Sequence, residues 1–163
     1  RLGKRQPGDV SALLATLDAH IVAARDTKMT RAQWSKRAPL YRRYRRAMNR
    51  SFSTFTKASV GLEQVRAMSG PLTDEIGRIS RKLADAERKA ANILPPGELA
   101  SGHALLRSSW ELAQNAFRLR LQSVSTNNLL GAQQASSAAA GALMLYRKAQ
   151  ADLQAVMAQP ARQ

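Results

Sequence analysis

Apolar residues recur every three or four positions through most of this 163-residue sequence, and this spacing constrains the fold more than any other feature. Such a period places apolar side chains along one side of an α-helix. Runs of alternating β-branched and aromatic residues bounded by turn residues are absent, so we expect no strands. Alanine, which has the highest intrinsic helix propensity, dominates the apolar fraction. The sequence therefore predicts an all-α protein.

The first third of the pattern suggests two helices. One should begin at Asp9, a candidate N-cap after Pro7-Gly8, and end near Arg25. Its apolar stripe is Val10, Leu13, Leu14, Leu17, Ile21 and Ala24. Residues 27–38 have no clean period, so we expect a turn or a short helix there, capped by Thr30. The next helix should begin with Pro39 in its first turn and end at Ser69-Gly70-Pro71.

The later helices have clearer start and stop residues. They are predicted over residues 72–93, from residue 98 to 125, and after the turn at Asn127-Asn128. Together these elements predict an antiparallel bundle of four to five helices with short connections. We expect a single domain over residues 1–163, with residues 1–8 as a flexible tail and 28–57 as its basic segment.

Each helix carries an apolar stripe that we expect to face the core. On the helix that starts at Pro39 the stripe is Leu40, Tyr44, Ala47, Met48, Phe52, Phe55 and Val60. On the next helix it is Ile76, Ile79, Leu83, Ala86 and Ala90. On the last two helices it is Leu99, Leu106, Trp110, Ala113, Phe117, Leu121 and Val124, then Ala132, Ala135, Ala139, Ala142, Tyr146, Ala149, Leu153 and Val156.

The net charge of +15 is concentrated rather than spread along the chain. Between Asp26 and Glu63 there is no acidic residue, whereas ten basic residues occur. Charge runs usually form solvated helix faces, but like charges at this density repel one another, so an anionic partner and a solvated face are both open interpretations. The candidate residues for binding that partner are Lys36, Arg37, Arg42, Arg43, Arg45, Arg46 and Arg50, with Trp34 as a further interface candidate. At about 100° per residue, Arg42, Arg45 and Arg46 share a side of the helix and Arg43 diverges from it.

No catalytic, cofactor or metal site is predicted. The chain lacks cysteine, and it contains neither a G-x-G-x-x-G nor a Walker-type phosphate loop. His20 and His103 are its only histidines, and we interpret them as helix-surface or cap residues. Asp74–Arg78 and Asp85–Lys89 have the spacing of surface ion pairs. A clamp for an anionic substrate, made of buried Arg118 and Arg120, is the remaining enzymatic alternative.

The segment from His103-Ala-Leu-Leu106 through Ala135-Ser-Ser-Ala-Ala-Ala-Gly-Ala-Leu143 resembles the C-terminal part of uncharacterised bacterial exported helical-bundle proteins. These have a helix led by Pro-Pro, here Pro95-Pro96, followed by one rich in Ala and Ser. The resemblance covers about residues 94–156. It implies an extracytoplasmic helical bundle, and it transfers no functional residue.

The sequence predicts a non-enzymatic accessory protein without a cofactor or a small-molecule substrate. We expect its basic segment to dock on an acidic surface of a larger, membrane-associated assembly or on an anionic membrane. A nucleic-acid-binding protein of the nucleoid-associated or ribosomal type is the alternative. The chain begins at Arg1 rather than Met, which we interpret as natural processing and which favours a periplasmic or secreted location over the cytoplasm.

Overall fold

The computed structural model describes the backbone of residues 7–70 and 73–160 and the side chains of residues 15–26, 28–70 and 73–160. It contains four α-helices, which are α1 (Pro7–Arg66), α2 (Thr73–Ala91), α3 (Ala100–Ser125) and α4 (Leu129–Met157). A short 3₁₀ helix, Gly97–Leu99, precedes α3. The residues described include no strand, so the all-α prediction is confirmed. Of the predicted tail, residues 1–6 lie outside the described residues, while Pro7 and Gly8 belong to α1.

Helix α1 is continuous across the region where a break was expected. The prediction of a turn within residues 27–38 and a new helix at Pro39 is wrong, since Pro39 lies inside α1. The missing apolar period there reflects exposure, because nearly all the side chains described from residue 15 to 37 are exposed. The local residues are mostly good helix formers, which offsets the hydrogen bond lost at proline. Thr30 does not cap a helix, because its hydroxyl donates to the Asp26 carbonyl within α1 at 2.8 Å.

The chain divides into two compact units. The N-terminal unit comprises Arg1–Pro39 together with Ala158–Gln163, and the main unit comprises Leu40–Met157. In the N-terminal unit, the predicted stripe of Val10, Leu13 and Leu14 lies outside the described side chains. Its continuation at Leu17 and Ile21 is exposed to solvent.

In the main unit, α1 buries a regular stripe. The buried residues alternate by three and four positions, a spacing close to 3.5 residues that keeps one side of a helix against its neighbours. They are Tyr41, Tyr44, Met48, Ser51, Phe55, Ala58, Leu62 and Val65. Three predicted core residues are instead exposed, namely Leu40, Ala47 and Val60. The stripe is therefore rotated from the predicted one, and Ser51 enters the core because its hydroxyl donates to the Ala86 carbonyl at 3.1 Å.

The predicted core positions of the later helices are mostly confirmed. In α2 all of them are buried except Ile79, which is half-buried. In α3 Leu106, Trp110, Ala113 and Phe117 are buried, and Leu99 is buried just before it. Towards its end, Leu121 is half-buried and Val124 is exposed. In α4 the predicted stripe is buried from Ala132 to Leu153, and Val156 is exposed.

Small residues allow α3 and α4 to approach closely. A Cβ atom added to Gly102 on α3 would lie 2.8 Å from the Leu153 Cγ and Cδ2 atoms on α4, closer than real Cβ contacts allow. Ala135, Ala139 and Ala142 supply the small face of α4, and each is fully buried. The two helices are therefore packed at a distance that leaves no room for additional side-chain volume.

Two connections begin with a residue in the left-handed backbone region. Asn127 has φ 50°, and the Asn128 N–H donates to the Ser123 carbonyl, which closes α3 in a Schellman arrangement. The predicted turn at Asn127-Asn128 is thus confirmed. After α1 the corresponding residue is Met68, with φ 56°. Methionine is unfavourable in this conformation because its Cβ crowds the following carbonyl oxygen.

Candidate anionic-partner interface

All the predicted binding residues lie on α1 and are exposed. Arg42, Arg43, Arg45, Arg46 and Arg50 belong to the main unit. Lys36 and Arg37 belong to the N-terminal unit, as does Trp34. The Trp34 side chain is half-buried, and its Nε1 atom is buried without a hydrogen-bond partner in the part of the chain that the structure describes.

The buried stripe of α1 fixes the direction of its arginines. Arg42, Arg46 and Arg50 follow one another at one-turn intervals on the side opposite Tyr44, Met48 and Phe55, and we call these three residues the arginine row. Lys57 continues the row two turns further on. Arg43 and Arg45 lie on opposite flanks of the row, because each residue step turns the helix by about 100°.

Among the residues that the structure describes, the arginine row has no ion-pair partner, unlike many other charged residues of the main unit. Glu63 pairs with Arg66 at 2.7 Å and with Arg147 at 3.1 Å, and Lys148 pairs with Asp152 at 2.6 Å. Asp85 pairs with Lys89 at 2.6 Å and with Arg88 at 3.4 Å. None of the five arginines from 42 to 50 forms an ion pair or a hydrogen bond with any group that the structure describes.

Arg50 illustrates how few acids these arginines can reach. The pKa of Asp85 is lowered chiefly by a hydrogen bond from Lys89, and the positive charge of Arg50 is a smaller contributor. Asp85 is thus already engaged by a neighbour on its own helix. The three guanidinium groups of the row and the two on its flanks, all within nine residues of α1, remain available to an external anion.

One flank of the row borders a cleft. Its wall on α1 consists of Leu40, Arg43, Tyr44 and Ala47, and its other wall consists of residues 92–96, which connect α2 to the 3₁₀ helix. The volume is about 560 Å³. Two of its apolar side chains are strongly exposed, with Leu40 at 53% and Leu94 at 93%. We call this feature the Leu94 cleft.

A buried polar pair holds the inner wall of the cleft in place. The Tyr44 hydroxyl lies 2.9 Å from Nδ1 of His103 on α3, and the two rings meet edge to face. Burial raises the pKa of Tyr44 to about 12. Burial, and then the charge of Arg107, lowers the pKa of His103. The imidazole is therefore mainly neutral at pH 7, and its Nδ1 atom shares a hydrogen bond with the tyrosine hydroxyl.

No family model, curated protein or solved structure matches this chain. The resemblance of residues 94–156 to bacterial exported proteins therefore stays a prediction.

The remaining candidate chemistry is sparse. No group of three or more His, Asp or Glu among the described side chains is placed to hold a metal ion. His103 is buried, so its interpretation as a surface or cap residue is wrong, whereas His20 is exposed as expected. Arg118 is exposed and donates to Asn115 at 2.6 Å, so the predicted clamp of two buried arginines is wrong as well. None of the helices described has an apolar stretch long enough to span a bilayer.

Sequence reasoning missed three contributors to this surface. Lys57 belongs to the basic segment but is not among the predicted binding residues, although it lies two turns from Arg50. Leu40 is predicted in the core, whereas it lines the Leu94 cleft. Leu94 gave no signal, because only the folded chain brings it beside α1.

Proposed function

We propose that this chain is a non-enzymatic interaction protein that binds an anionic partner through the arginine row. The observation that carries the proposal is the row itself, which is exposed and forms no ion pair with any described residue, on a helix whose opposite side is fixed in the core. Clustered guanidinium groups destabilise a compact protein by mutual repulsion, and a bound anion relieves that cost. Guanidinium groups also bind carboxylates and phosphates with two parallel hydrogen bonds, so they give specificity as well as attraction.

We propose that residues 40–157 present this row on an antiparallel four-helix bundle. Contacts between α1 and α2 run in opposite order along the two helices, since Ser51 meets Ala86 and Gly61 meets Ile79. Contacts between α1 and α3 run in the same order, from Tyr44 with His103 to Gly61 with Phe117. For α1 and α4 the order is again opposite, because Tyr146 bonds to Phe52 and Ser136 bonds to Arg66. This up-down-up-down order favours a four-helix bundle that holds the arginine row on a rigid body.

An acidic surface of a larger, membrane-associated assembly or an anionic membrane is the partner that we favour. The arginine row and Lys57 span about four turns of helix, roughly 22 Å at 1.5 Å per residue, which suits an extended acidic surface rather than a small metabolite. An extracytoplasmic location fits such a partner, and it rests on the resemblance of residues 94–156 to exported proteins.

Nucleic acid is the second candidate, and the net charge of +15 favours it. Proteins that bind single strands usually stack bases on exposed aromatic side chains. Every aromatic residue of this chain is buried or half-buried, so it offers no such platform. Binding to a nucleic acid would then depend on phosphate contacts alone, and it would weaken steeply with salt.

The test compares two charge-reversed triple variants. The first is Arg42→Glu/Arg46→Glu/Arg50→Glu, which reverses the row. The control is Arg78→Glu/Arg81→Glu/Lys82→Glu, which makes the same change of formal charge at three exposed positions of α2. Binding is measured to phosphatidylglycerol vesicles, to heparin and to duplex DNA over a series of salt concentrations, and circular dichroism checks that each variant folds.

We expect the row variant to lose about 100-fold or more in affinity for the probe that wild type prefers, whereas the control should lose far less. Equal losses in the two variants would mean that net charge alone drives binding, and the proposal would be wrong. A preference for DNA with a linear log–log salt dependence would identify the nucleic-acid alternative instead.

A further inference from the structure

The Leu94 cleft combines an apolar interior with a cation at its edge. Leu40 and Leu94 line it and are strongly exposed, although leucine is normally buried. Arg43 lines the same cleft and forms no ion pair or hydrogen bond within the described part of the chain. Neither wall contains an acidic residue. The cleft is thus complementary to a group that is apolar at one point and negatively charged beside it.

The walls of the cleft are held in place before any partner arrives. Tyr44 is 3% exposed and is fixed by its hydrogen bond to His103. Pro95 and Pro96 restrict the backbone of the opposite wall, since proline fixes φ. The Ile93 N–H donates to the Ala90 carbonyl and the Asn92 side chain donates to the Arg88 carbonyl, which ties that wall to the end of α2. A preformed cleft of this kind loses little conformational entropy on binding.

We infer that the Leu94 cleft receives an apolar side chain from an acidic protein segment, and that a carboxylate of that segment pairs with Arg43. This inference rests on the proposed function and identifies its partner as a protein. An apolar anchor in a pocket with charged residues around its edge is the usual arrangement of a protein interface. Because the arginine row begins beside the cleft, further acidic residues of the segment would extend along it.

A bilayer and a nucleic acid fit the cleft less well. A membrane surface takes up apolar side chains that project outward from a helix, whereas the Leu94 cleft is concave. A nucleic acid offers phosphates to the arginine row, but it has no flexible apolar side chain to fill a cleft of about 560 Å³. The charge of the row suits all three partners, and the shape of the cleft beside it favours a protein.

The experiment begins with a random-peptide phage library selected on the immobilised full chain. A selected peptide is then synthesised with a fluorescent label, and its affinity is measured by anisotropy. Ala47→Trp fills the cleft from an exposed helical position, and Ala140→Trp adds the same bulk at an exposed position of α4. Arg43→Gln removes the charge at the edge while keeping a side chain of similar length.

We expect selected peptides to share an apolar residue within one helical turn of Asp or Glu. Ala47→Trp should weaken the labelled peptide about tenfold or more, Arg43→Gln should weaken it less, and Ala140→Trp should leave it unchanged. Replacing the apolar residue of the peptide with Ala should cause a similar loss in wild type and almost none in Ala47→Trp. That non-additivity locates the side chain in the cleft.

Three results would overturn the inference. One is a selection that yields no peptide or yields acidic peptides with no apolar residue. Another is normal peptide binding by Ala47→Trp. The third is an equal loss of vesicle or DNA binding in Ala47→Trp, which would show that the cleft serves lipid or nucleic acid. If acidic peptides bind the arginine row but not the cleft, the further inference fails and the proposed function stands. The proposed function itself fails if the charge-reversed row variant binds like its control.

Discussion

Tyr44→Phe tests whether the buried pair with His103 stabilises the main unit. The hydroxyl and Nδ1 are 2.9 Å apart, and the two residues are only 3% and 7% exposed. Removing the hydroxyl loses the hydrogen bond and leaves Nδ1 of the neutral imidazole without its hydrogen-bond partner. Because a buried polar atom without a partner is costly, we expect the free energy of unfolding to fall by about 1–2 kcal/mol.

A double-mutant cycle separates this hydrogen bond from general packing. The cycle comprises Tyr44→Phe, His103→Leu and the double variant, each unfolded in urea at about pH 8, where the imidazole is neutral, and followed by circular dichroism. The double variant should be more stable than the sum of the single losses predicts, with a coupling energy of about 1 kcal/mol. A coupling energy below about 0.3 kcal/mol would refute the reasoning, because the two side chains would then be acting independently.

Three further predictions follow from packing, backbone conformation and titration. Ala139→Leu should lower the free energy of unfolding by about 1–3 kcal/mol, because this fully buried residue has no free volume beside it. Ala140→Leu, on the exposed side of α4, should change the free energy of unfolding little. Equal denaturation midpoints for the two variants would mean that the Ala139 face of α4 is open. Met68→Gly should raise the free energy of unfolding by about 0.5–1 kcal/mol, since glycine adopts a φ of 56° without crowding and Met68 is 44% exposed. A lower stability in urea would show that the contacts of the methionine side chain stabilise the fold more than its backbone conformation destabilises it. Burial, and then the charge of Arg107, lowers the pKa of His103 below 6.5, so the unfolded chain binds a proton at this imidazole more readily than the folded chain does. The stability contributed by the neutral imidazole is therefore present above pH 6.5 and is lost as the pH falls below it. Urea titrations across this range should show a smaller pH dependence of the unfolding free energy in His103→Leu than in wild type.

Helices α2 to α4 could be predicted closely from the sequence, because the residues that start and stop a helix and the spacing of the apolar residues indicate the same bounds. Asn127 stops α3 at Ser125, and proline follows soon after α2 ends at Ala91. Their apolar positions are surrounded by polar ones, so the side that faces the core is unambiguous. Helix α1 lacks this agreement, since residues 27–38 have neither a period nor a strong stop until Pro39. An exposed helix needs no apolar side, so the absence of an apolar period does not indicate the absence of a helix.

The rotation of the α1 stripe and the Leu94 cleft depend on contacts that no local pattern contains. Leu40 and Tyr41 are adjacent and both apolar enough for the core, but only Tyr41 is buried, while Leu40 is exposed. The exposure of the arginines was predictable from their charge, because a guanidinium without a partner is costly to bury. The cleft beside them was not, since its two walls come from separate helical segments.

The placement of the tryptophans makes the two units separately observable. Trp110 is fully buried in the main unit, and its indole N–H has no hydrogen-bond partner in the described structure, so its emission should be shifted to short wavelength. Trp34 belongs to the N-terminal unit. A Trp34→Phe protein therefore carries a single emitter whose colour reports only on the interior of residues 40–157. Trp110→Phe would leave Trp34 as a separate optical reporter of the other unit.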